Sequence, residues 1–282
     1  MIVQENTVID ERAALIDRIE KRDFHLSYSS LKQFAKSPAH FIDYKLKKFE
    51  PTDAMNEGTL VDMLLTEPEN VEKAFLVLPE GASFATKAGT VLVGAAYGLD
   101  VPDDKHDNQK SMVRDAMACD ERIAVTQAVM DKCEYLANRV RSNRASSWIF
   151  KHAEAYQHPV EFERYGWKWR GRMDIYAEQF YKADLKKTKD ADPRKFRWQA
   201  KDLKYAWQGA IYSHDEPDTP FFNVAFDNDG HVSVHEHTPA ALELAWDEIA
   251  RVVDRFDECV ALNEWHRSYD FWPENWNGIH SI

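Results

Sequence analysis

The second half of the sequence contains a stretch of alternating residues that constrains the fold more than any other feature. Bulky apolar side chains alternate with polar ones across Glu154–Ala177, and the alternation breaks at Tyr165-Gly166. Side chains of a strand point alternately to its two faces, so this pattern predicts two strands joined by a tight turn. A third strand is predicted at Phe180–Leu185. The chain is therefore expected to build a sheet here.

Helical periodicity dominates the sequence before this sheet and returns after it. Helices are predicted at Asn6–Lys21, from Ser29 or Ser30 onward with a break at Pro38, and at Asp53–Leu65, Ser111–Cys119, Asp120–Ser142, Pro193–His214 and Pro239–Trp265. A short strand is expected at Phe75–Leu78, and a hairpin at Phe221–Phe226 and His231–His235. Pro79–Lys110 contains four glycines and is interpreted as a long mobile loop.

This order of elements predicts one α/β or α+β domain over residues 1–282. A helical N-terminal part would occupy about residues 1–145, and the sheet core about 150–265.

Two aspartates and a lysine stand at the predicted sheet. Asp174 and Asp184 lie on neighbouring strands, and Lys186 shares a strand face with Asp184. Two adjacent carboxylates repel each other, and a divalent cation such as Mg²⁺, which prefers oxygen ligands, removes that repulsion. The pattern therefore indicates a metal site, with the lysine next to the scissile phosphate or the metal-bound water. The alternative is a surface hairpin with scattered charges.

A basic segment follows the third strand. Residues 182–204 hold nine basic and four acidic residues, although the whole chain has a net charge of −12. Such a segment is either a solvated helical face or a local nucleic-acid contact. Downstream, Gln208 and Tyr212 are four residues apart and share one helix face beside the predicted site.

Several classes of protein are excluded by composition. The sequence has no run of about 18 apolar residues that could span a membrane. Its N-terminus lacks the pattern of a signal peptide, so a cytoplasmic location is expected. The three cysteines are widely spaced, which argues against a disulfide framework or a four-cysteine metal site.

Motifs along most of the chain resemble those of the PD-(D/E)XK nucleases, and among them the RecE- and RecB-like exonucleases. The resembling segments are Leu26–Leu31, Phe34–Phe41, Gly58–Glu69, Met173-Asp174, Asp184–Thr188, Gln208-x-x-x-Tyr212 with Tyr205 before it, and Phe271-Trp272-Pro273. The resemblance implies a restriction-endonuclease-like core, in which a central mixed sheet is flanked by helices.

The same resemblance implies roles for individual residues. Metal ligands would be Asp174, Asp184, the Leu185 carbonyl, Asp62 and Glu161, although Glu163 shares the face of Glu161 and could replace it. Lys186 would position or activate the attacking water and stabilise charge on the phosphate, while Gln208 and Tyr212 would orient the site. DNA contacts are expected from Ser27, Ser29, Lys187, Thr188, Arg194, Lys195, Arg197, Lys201, Lys204 and Tyr205.

The sequence departs from these relatives at informative positions. Asp62 stands where the family usually has a metal-binding histidine, so it is either a ligand or an ordinary acid on a helix surface. Ser37 stands where iron–sulfur relatives have a cysteine, so no iron–sulfur cluster is expected.

The function implied is Mg²⁺-dependent hydrolysis of DNA, with Mn²⁺ as a substitute, by an exonuclease that resects double-stranded ends for recombination. A ring-shaped homo-oligomer and a single-strand annealing protein as partner are implied by the resemblance alone. Two alternatives stay open: a catalytically inert protein that binds DNA ends or a partner, and a structure-specific endonuclease.

Overall fold

The fold is described by a computed structural model that covers residues 2–48 and 50–271. Helices lie at Ile2–Glu20 (α1), Tyr28–Phe34 (α2), Pro38–Leu46 (α3), Asp53–Thr66 (α4), Val71–Ala74 (α5), Lys87–Ala96 (α6), His106–Cys119 (α7), Gln127–Ser142 (α8), Arg144–His152 (α9), Pro193–Asp202 (α10), Tyr205–Tyr212 (α11) and Pro239–Leu262 (α12). Strands lie at His25–Leu26 (β1), Phe75–Leu78 (β2), Ile123–Thr126 (β3), Ala155–Arg164 (β4), Trp167–Ala177 (β5), Tyr181–Lys187 (β6), Phe221–Phe226 (β7) and Val232–His237 (β8).

A six-stranded mixed sheet forms the centre of the molecule, in the order β1-β5-β6-β7-β8 with β4 also paired to β5. The β1–β5 and β6–β7 pairs are parallel, and the other pairs are antiparallel. Strands β2 and β3 form a separate parallel pair. This mixed sheet between helices confirms the predicted fold class.

Strand β5 has an unusual pairing pattern. One of its edges pairs with β4 along nearly its whole length. Its other edge pairs with β1 at Lys168 and Trp169, and with β6 only from Ile175 onward. Residues 170–174 thus have no strand partner on that edge, which opens a gap in the sheet beside the end of β6.

Helices cover both faces of the sheet. One apolar core lies beneath α1, α2, α3, α11 and α12, and it is rich in aromatic residues such as Trp167, Trp169 and Phe256. The other lies beneath α4, α8 and α9, and it includes Leu60, Leu65 and Leu185. Within the described residues, no helix combines the length and apolarity needed to cross a membrane.

Most predicted elements are found, but the interpretation of Pro79–Lys110 as a mobile loop is wrong. The segment contains α6 and the start of α7, which bury Val93, Val101 and Val113 between them. Two of the glycines that suggested a loop serve close packing instead, because Gly89 lies against the backbone of Ser83 and Gly94 lies directly against Val101 and Val113.

Smaller corrections concern boundaries. Within the predicted Asp120–Ser142 helix, Ile123–Thr126 form β3 and the helix begins only at Gln127, and α9 was not predicted. The N-cap of α2 is Ser27 rather than Ser29 or Ser30, because its hydroxyl accepts the backbone N–H of Ser30. The predicted Pro193–His214 helix is broken at Lys204, which has a left-handed φ of 58°.

The Gly94 contact leads to a stability prediction. A Cβ at this position would overlap Val101 Cγ2 and lie 3.1 Å from Val113 Cγ2. We expect Gly94→Ala to lower the free energy of unfolding by about 1–3 kcal/mol, as overpacking does. Urea denaturation measures the change, with the exposed Ala95→Ser as the control. A Gly94→Ala protein as stable as the parent would contradict the tight packing of α6 on α7.

Candidate active site

Asp174 lies at the gap in the sheet. Its Oδ2 accepts the backbone N–H of Leu185 at 2.7 Å, which ties the end of β5 to β6. Its Oδ1 lies 3.4 Å from Nε2 of Gln157, the residue opposite it on β4. Gln157 has a left-handed φ of 51°, so the strand pairing is distorted at this carboxylate.

Asp184, Lys186 and Gln208 form a closed polar triangle. Lys186 Nζ makes an ion pair with Asp184 Oδ2, and it donates to Gln208 Oε1 at 2.9 Å. Gln208 Nε2 donates to Asp184 Oδ1 at 2.6 Å. The buried amide of Gln208 is thus hydrogen-bonded to both charged groups. Buried charges are stable only when they are paired and hydrogen-bonded in this way.

Two tyrosines close the polar triangle from the side of α11. Tyr212 OH lies 3.2 Å from Gln208 Nε2, and its ring packs on Gly171. A Cβ at Gly171 would come within 2.5 Å of Tyr212 Cε1, so this position requires glycine. The ring of Tyr205 lies 4.6 Å from Lys186 Nζ, in a cation–π contact.

Asp62 reaches the same region from α4. Its Oδ1 is buried and has no hydrogen-bond partner. Burial and the charges of Asp174 and Asp184 raise the pKa of Asp62 well above its usual range. A buried carboxylate oxygen with no donor, facing two further carboxylates, is a costly arrangement that a cation would relieve.

The electrostatics of the other groups follow from the same crowding. Burial and the Asp184 carboxylate raise the pKa of Asp174 to about 7. Burial alone would lower the pKa of Lys186, but Asp184, Tyr205 and Asp174 together outweigh it and hold that pKa above its usual range. Lys186 is therefore a cation at neutral pH.

A cavity of about 470 Å³ opens beside this cluster. Its lining includes Ser27, Ser29, Glu161, Arg170, Arg172, Lys186, Gln208 and Tyr212. Glu161 lies opposite Arg170 on β5 and faces the cavity, whereas Glu163 lies opposite Lys168 and does not line it. The geometry thus distinguishes two acids that the sequence could not separate.

Other residues that we expected to contact DNA are engaged within the protein. Lys187 lies on the sheet face opposite Lys186 and makes an ion pair with Glu57. Thr188 is buried and donates to Gln199 Oε1 at 2.7 Å. The Ser27 hydroxyl caps α2. Tyr205 is buried beneath Lys186.

Ion pairs with neighbouring carboxylates neutralise only part of the positive charge on and beside helix α10. Lys195 makes an ion pair with Asp190, and Lys204 lies 3.2 Å from Glu248. Arg194, Arg197 and Lys201 are exposed, and of these Arg194 lies 3.8 Å from Asp192.

Sequence reasoning missed several residues that shape the site. Gln157, Arg170 and Arg172 all border it, and Glu57 anchors α4 beside it. The arginines flank Gly171 in the sequence and alternate with the buried face of β5, which is a signal that could have found them. The contact of Gln157 with Asp174 depends on a backbone distortion that no local pattern reveals.

A second group of possible metal ligands lies in the β7–β8 turn. Oxygen and nitrogen atoms of Asp227, Asp229 and His231 lie within 4.8 Å of one another. The Asp227 carboxylate already accepts the backbone N–H groups of Ala191, Asp229 and His231. These hydrogen bonds explain the clustering of the three side chains as part of the turn structure, without a metal ion.

Comparison with known proteins identifies the class. The family described as "PDDEXK-like domain of unknown function (DUF3799)" matches residues 27–217, and the chain belongs to this family. Membership of the PD-(D/E)XK superfamily is thereby confirmed, whereas the finer resemblance to RecE is not decided by it. PDDEXK nucleases generally use divalent metal ions. No curated protein matches the sequence.

A solved structure of a similar protein agrees on the fold. A candidate exonuclease from Eubacterium rectale is 16% identical over 85% of this chain and 82% of its own, with a TM-score of 0.53. The structure of a protein named SSO0001 is 13% identical over 73% of this chain and 85% of its own, with a TM-score of 0.29, which is too low to support a shared fold. Family and fold together support a hydrolytic nuclease.

The predicted Phe271-Trp272-Pro273 motif lies outside the described residues from Trp272 onward.

The raised pKa of Asp174 predicts a pH-dependent stability in metal-free protein. An acid whose folded pKa is raised binds its proton more tightly when folded, so stability falls as pH rises from about 4 to about 7. We expect Asp174→Asn to reduce this fall and to be more stable than the parent at pH 8 in EDTA. Thermal melts across this range measure the difference. Equal melting temperatures at pH 8 would show that the carboxylate is not crowded.

Proposed function

We propose that this protein is a Mg²⁺-dependent deoxyribonuclease that hydrolyses double-stranded DNA from its ends. The observation that carries the proposal is the convergence of Asp62, Asp174 and Asp184 beside the cationic Lys186 in one gap of the sheet. The carboxylates lie on three different elements, so no local folding requirement explains why they meet.

The donor set suits a hard divalent cation. Asp62, Asp174 and Asp184 offer carboxylate oxygens, which Mg²⁺ and Mn²⁺ accept as ligands. The orphaned Oδ1 of Asp62, and the pKa of Asp174 that burial and Asp184 raise, both indicate a site whose negative charge Lys186 does not fully compensate. When bound, the cation would polarise a phosphoryl oxygen. The Leu185 carbonyl and Glu161 complete the proposed ligand set.

The protein's own groups would do the remaining work. Lys186, held protonated by Asp184, stabilises negative charge that develops on the phosphate, and its raised pKa makes it a poor base. Gln208 fixes the position of Lys186, and Tyr212 fixes the position of Gln208. Arg170 and Arg172, at the cavity, are placed to neutralise phosphates of the substrate strand.

Degradation of linear and circular duplex DNA tests the proposal. Linear DNA alone should disappear, only with Mg²⁺ or Mn²⁺, and Asp184→Asn and Lys186→Gln should each lose at least about 100-fold of the rate. Asp184→Asn preserves the shape of the side chain, Lys186→Gln removes the charge but keeps a polar side chain, and circular dichroism checks the fold. Cleavage of circular DNA would favour an endonuclease. Stable binding of DNA ends without cleavage under any of these conditions would favour the inert alternative.

The two neighbouring acids of β4 provide a matched pair of variants. Glu161 lines the cavity with Lys186 and Gln208, whereas Glu163 does not. We expect Glu161→Gln to lower the cleavage rate by about 10-fold or more and Glu163→Gln to leave it within about twofold, because only the first side chain reaches the site. Initial rates on linear duplex DNA measure both. If the two variants behave alike, the assignment of Glu161 fails.

A ring-shaped homo-oligomer, a single-strand annealing partner and a role in recombination follow from the resemblance to RecE-like exonucleases. These remain predictions. Measuring the oligomeric state in solution would test the ring, and capturing bound proteins would test the annealing partner.

A further inference from the structure

The outer face of α10 combines cations with an exposed tryptophan. Arg194, Arg197, Trp198 and Lys201 follow the i, i+3, i+4, i+7 spacing of one helix face, and we call them the α10 stripe. Phe196 and Ala200 point the other way and are buried. Trp198 has a relative exposure of 68%, the highest value among the exposed large hydrophobic residues of the described chain.

Packing among the described residues does not explain why this tryptophan is exposed. Its ring contributes to none of the apolar clusters of the described chain. Lys201 Nζ lies 5.8 Å from the centroid of its ring, in a cation–π contact. A large apolar ring between cations, in a chain with a net charge of −12, is unlike the rest of this acidic surface.

The stripe borders a groove. A cavity of about 630 Å³ between α10 and the edge strand β8 is lined by Arg197, Lys201, Val234, His235 and His237 among others. Two cations of the stripe therefore also face a concave surface, whose other walls are apolar or neutral polar apart from the carboxylate of Glu236. Burial lowers the pKa of both histidines, that of His237 to about 4, so neither adds charge at neutral pH.

Helix α10 is rigidly connected to the proposed active site. Thr188, two residues after Lys186, donates to Gln199, the neighbour of Trp198. The Phe196 ring contacts Tyr205, whose own ring lies under Lys186. A strand held on the stripe is thereby held by the same scaffold as the catalytic lysine.

We propose that the α10 stripe and its groove bind an unpaired nucleic-acid strand, with Trp198 stacking on a base and the cations contacting phosphates. Proteins that bind single-stranded nucleic acid commonly combine exposed aromatic rings with cations. The rings stack on the flat faces of the bases, and the cations pair with the phosphate that each nucleotide carries. Bases inside a duplex are already stacked and offer no free face. The inference deepens the proposed function, since a nuclease acting on duplex ends generates unpaired strands.

Binding in EDTA tests this without any cleavage. Fluorescence anisotropy would compare a labelled 15-mer of thymidylate with an abasic 15-mer of the same charge. We expect Trp198→Ala to weaken thymidylate binding by about 5- to 100-fold and Trp198→Phe to lose less, as stacking of one base predicts. Affinity for the abasic strand should not change. Trp148→Ala, at a half-exposed ring on α9, is the control and should bind like the parent.

The cations make a separate contribution. Arg197→Ala should reduce the slope of log affinity against log salt by about 0.7, the value for one lost phosphate contact on a single strand. Equal thymidylate affinity in the parent and Trp198→Ala would overturn the proposal and leave the stripe to a protein partner. So would equal binding of the thymidylate and abasic strands by the parent.

The outcomes also separate this inference from the proposed function. If the parent binds thymidylate through Trp198 but degrades no DNA, the stripe is confirmed and the nuclease activity fails. If linear DNA is degraded but Trp198→Ala changes neither binding nor the preference for bases, the activity stands and the stripe fails.

Discussion

The crowding of three carboxylates in one gap of the sheet is the constraint around which the rest of this protein is arranged. Like charges at this density are tolerated only with compensation, and here one lysine and one amide supply it inside the protein. Removing one partner of a buried ion pair typically costs about 3–5 kcal/mol, so Asp184 and Lys186 depend on each other for stability as well as chemistry. Gln208 depends in turn on Tyr212, and Tyr212 on the absence of a side chain at Gly171.

The gap itself results from the way β5 is paired. One edge of β5 pairs with β4, and the other edge pairs first with β1 and later with β6. Beyond Ala183, strand β6 is no longer paired with β5 and keeps only its pairing with β7, and Asp184 lies at this point. In a fully paired sheet the same residues would project side by side with no room for a substrate phosphate. The two-residue β1 is therefore important beyond its size, because it closes the sheet at the far end of the gap and places the start of α2 at the cavity.

Patterns of period two and 3.6 were sufficient to predict the strands that carry Asp174 and Asp184 and the helix that carries Gln208 and Tyr212, although the predicted third strand ended one residue before Lys186. Contacts between distant segments could not be predicted in this way. The left-handed φ of Gln157 and the packing of α6 on α7 through Gly94 both depend on tertiary neighbours. Glycine in that segment was interpreted as a loop signal, whereas close helix packing requires the same residue. The choice between Glu161 and Glu163 needed the structure because both occupy the same strand face.

The consecutive lysines after Asp184 show how one short motif serves both structure and chemistry. Strand alternation sends Lys186 to the cavity side and Lys187 to the face covered by α4. There Lys187 and Lys132 share Glu57, and their hydrogen bonds outweigh its burial and hold its pKa below its usual value. An ion pair on the second lysine thus docks the helix that carries Asp62, so the motif that contains the proposed catalytic lysine also helps to place the third carboxylate.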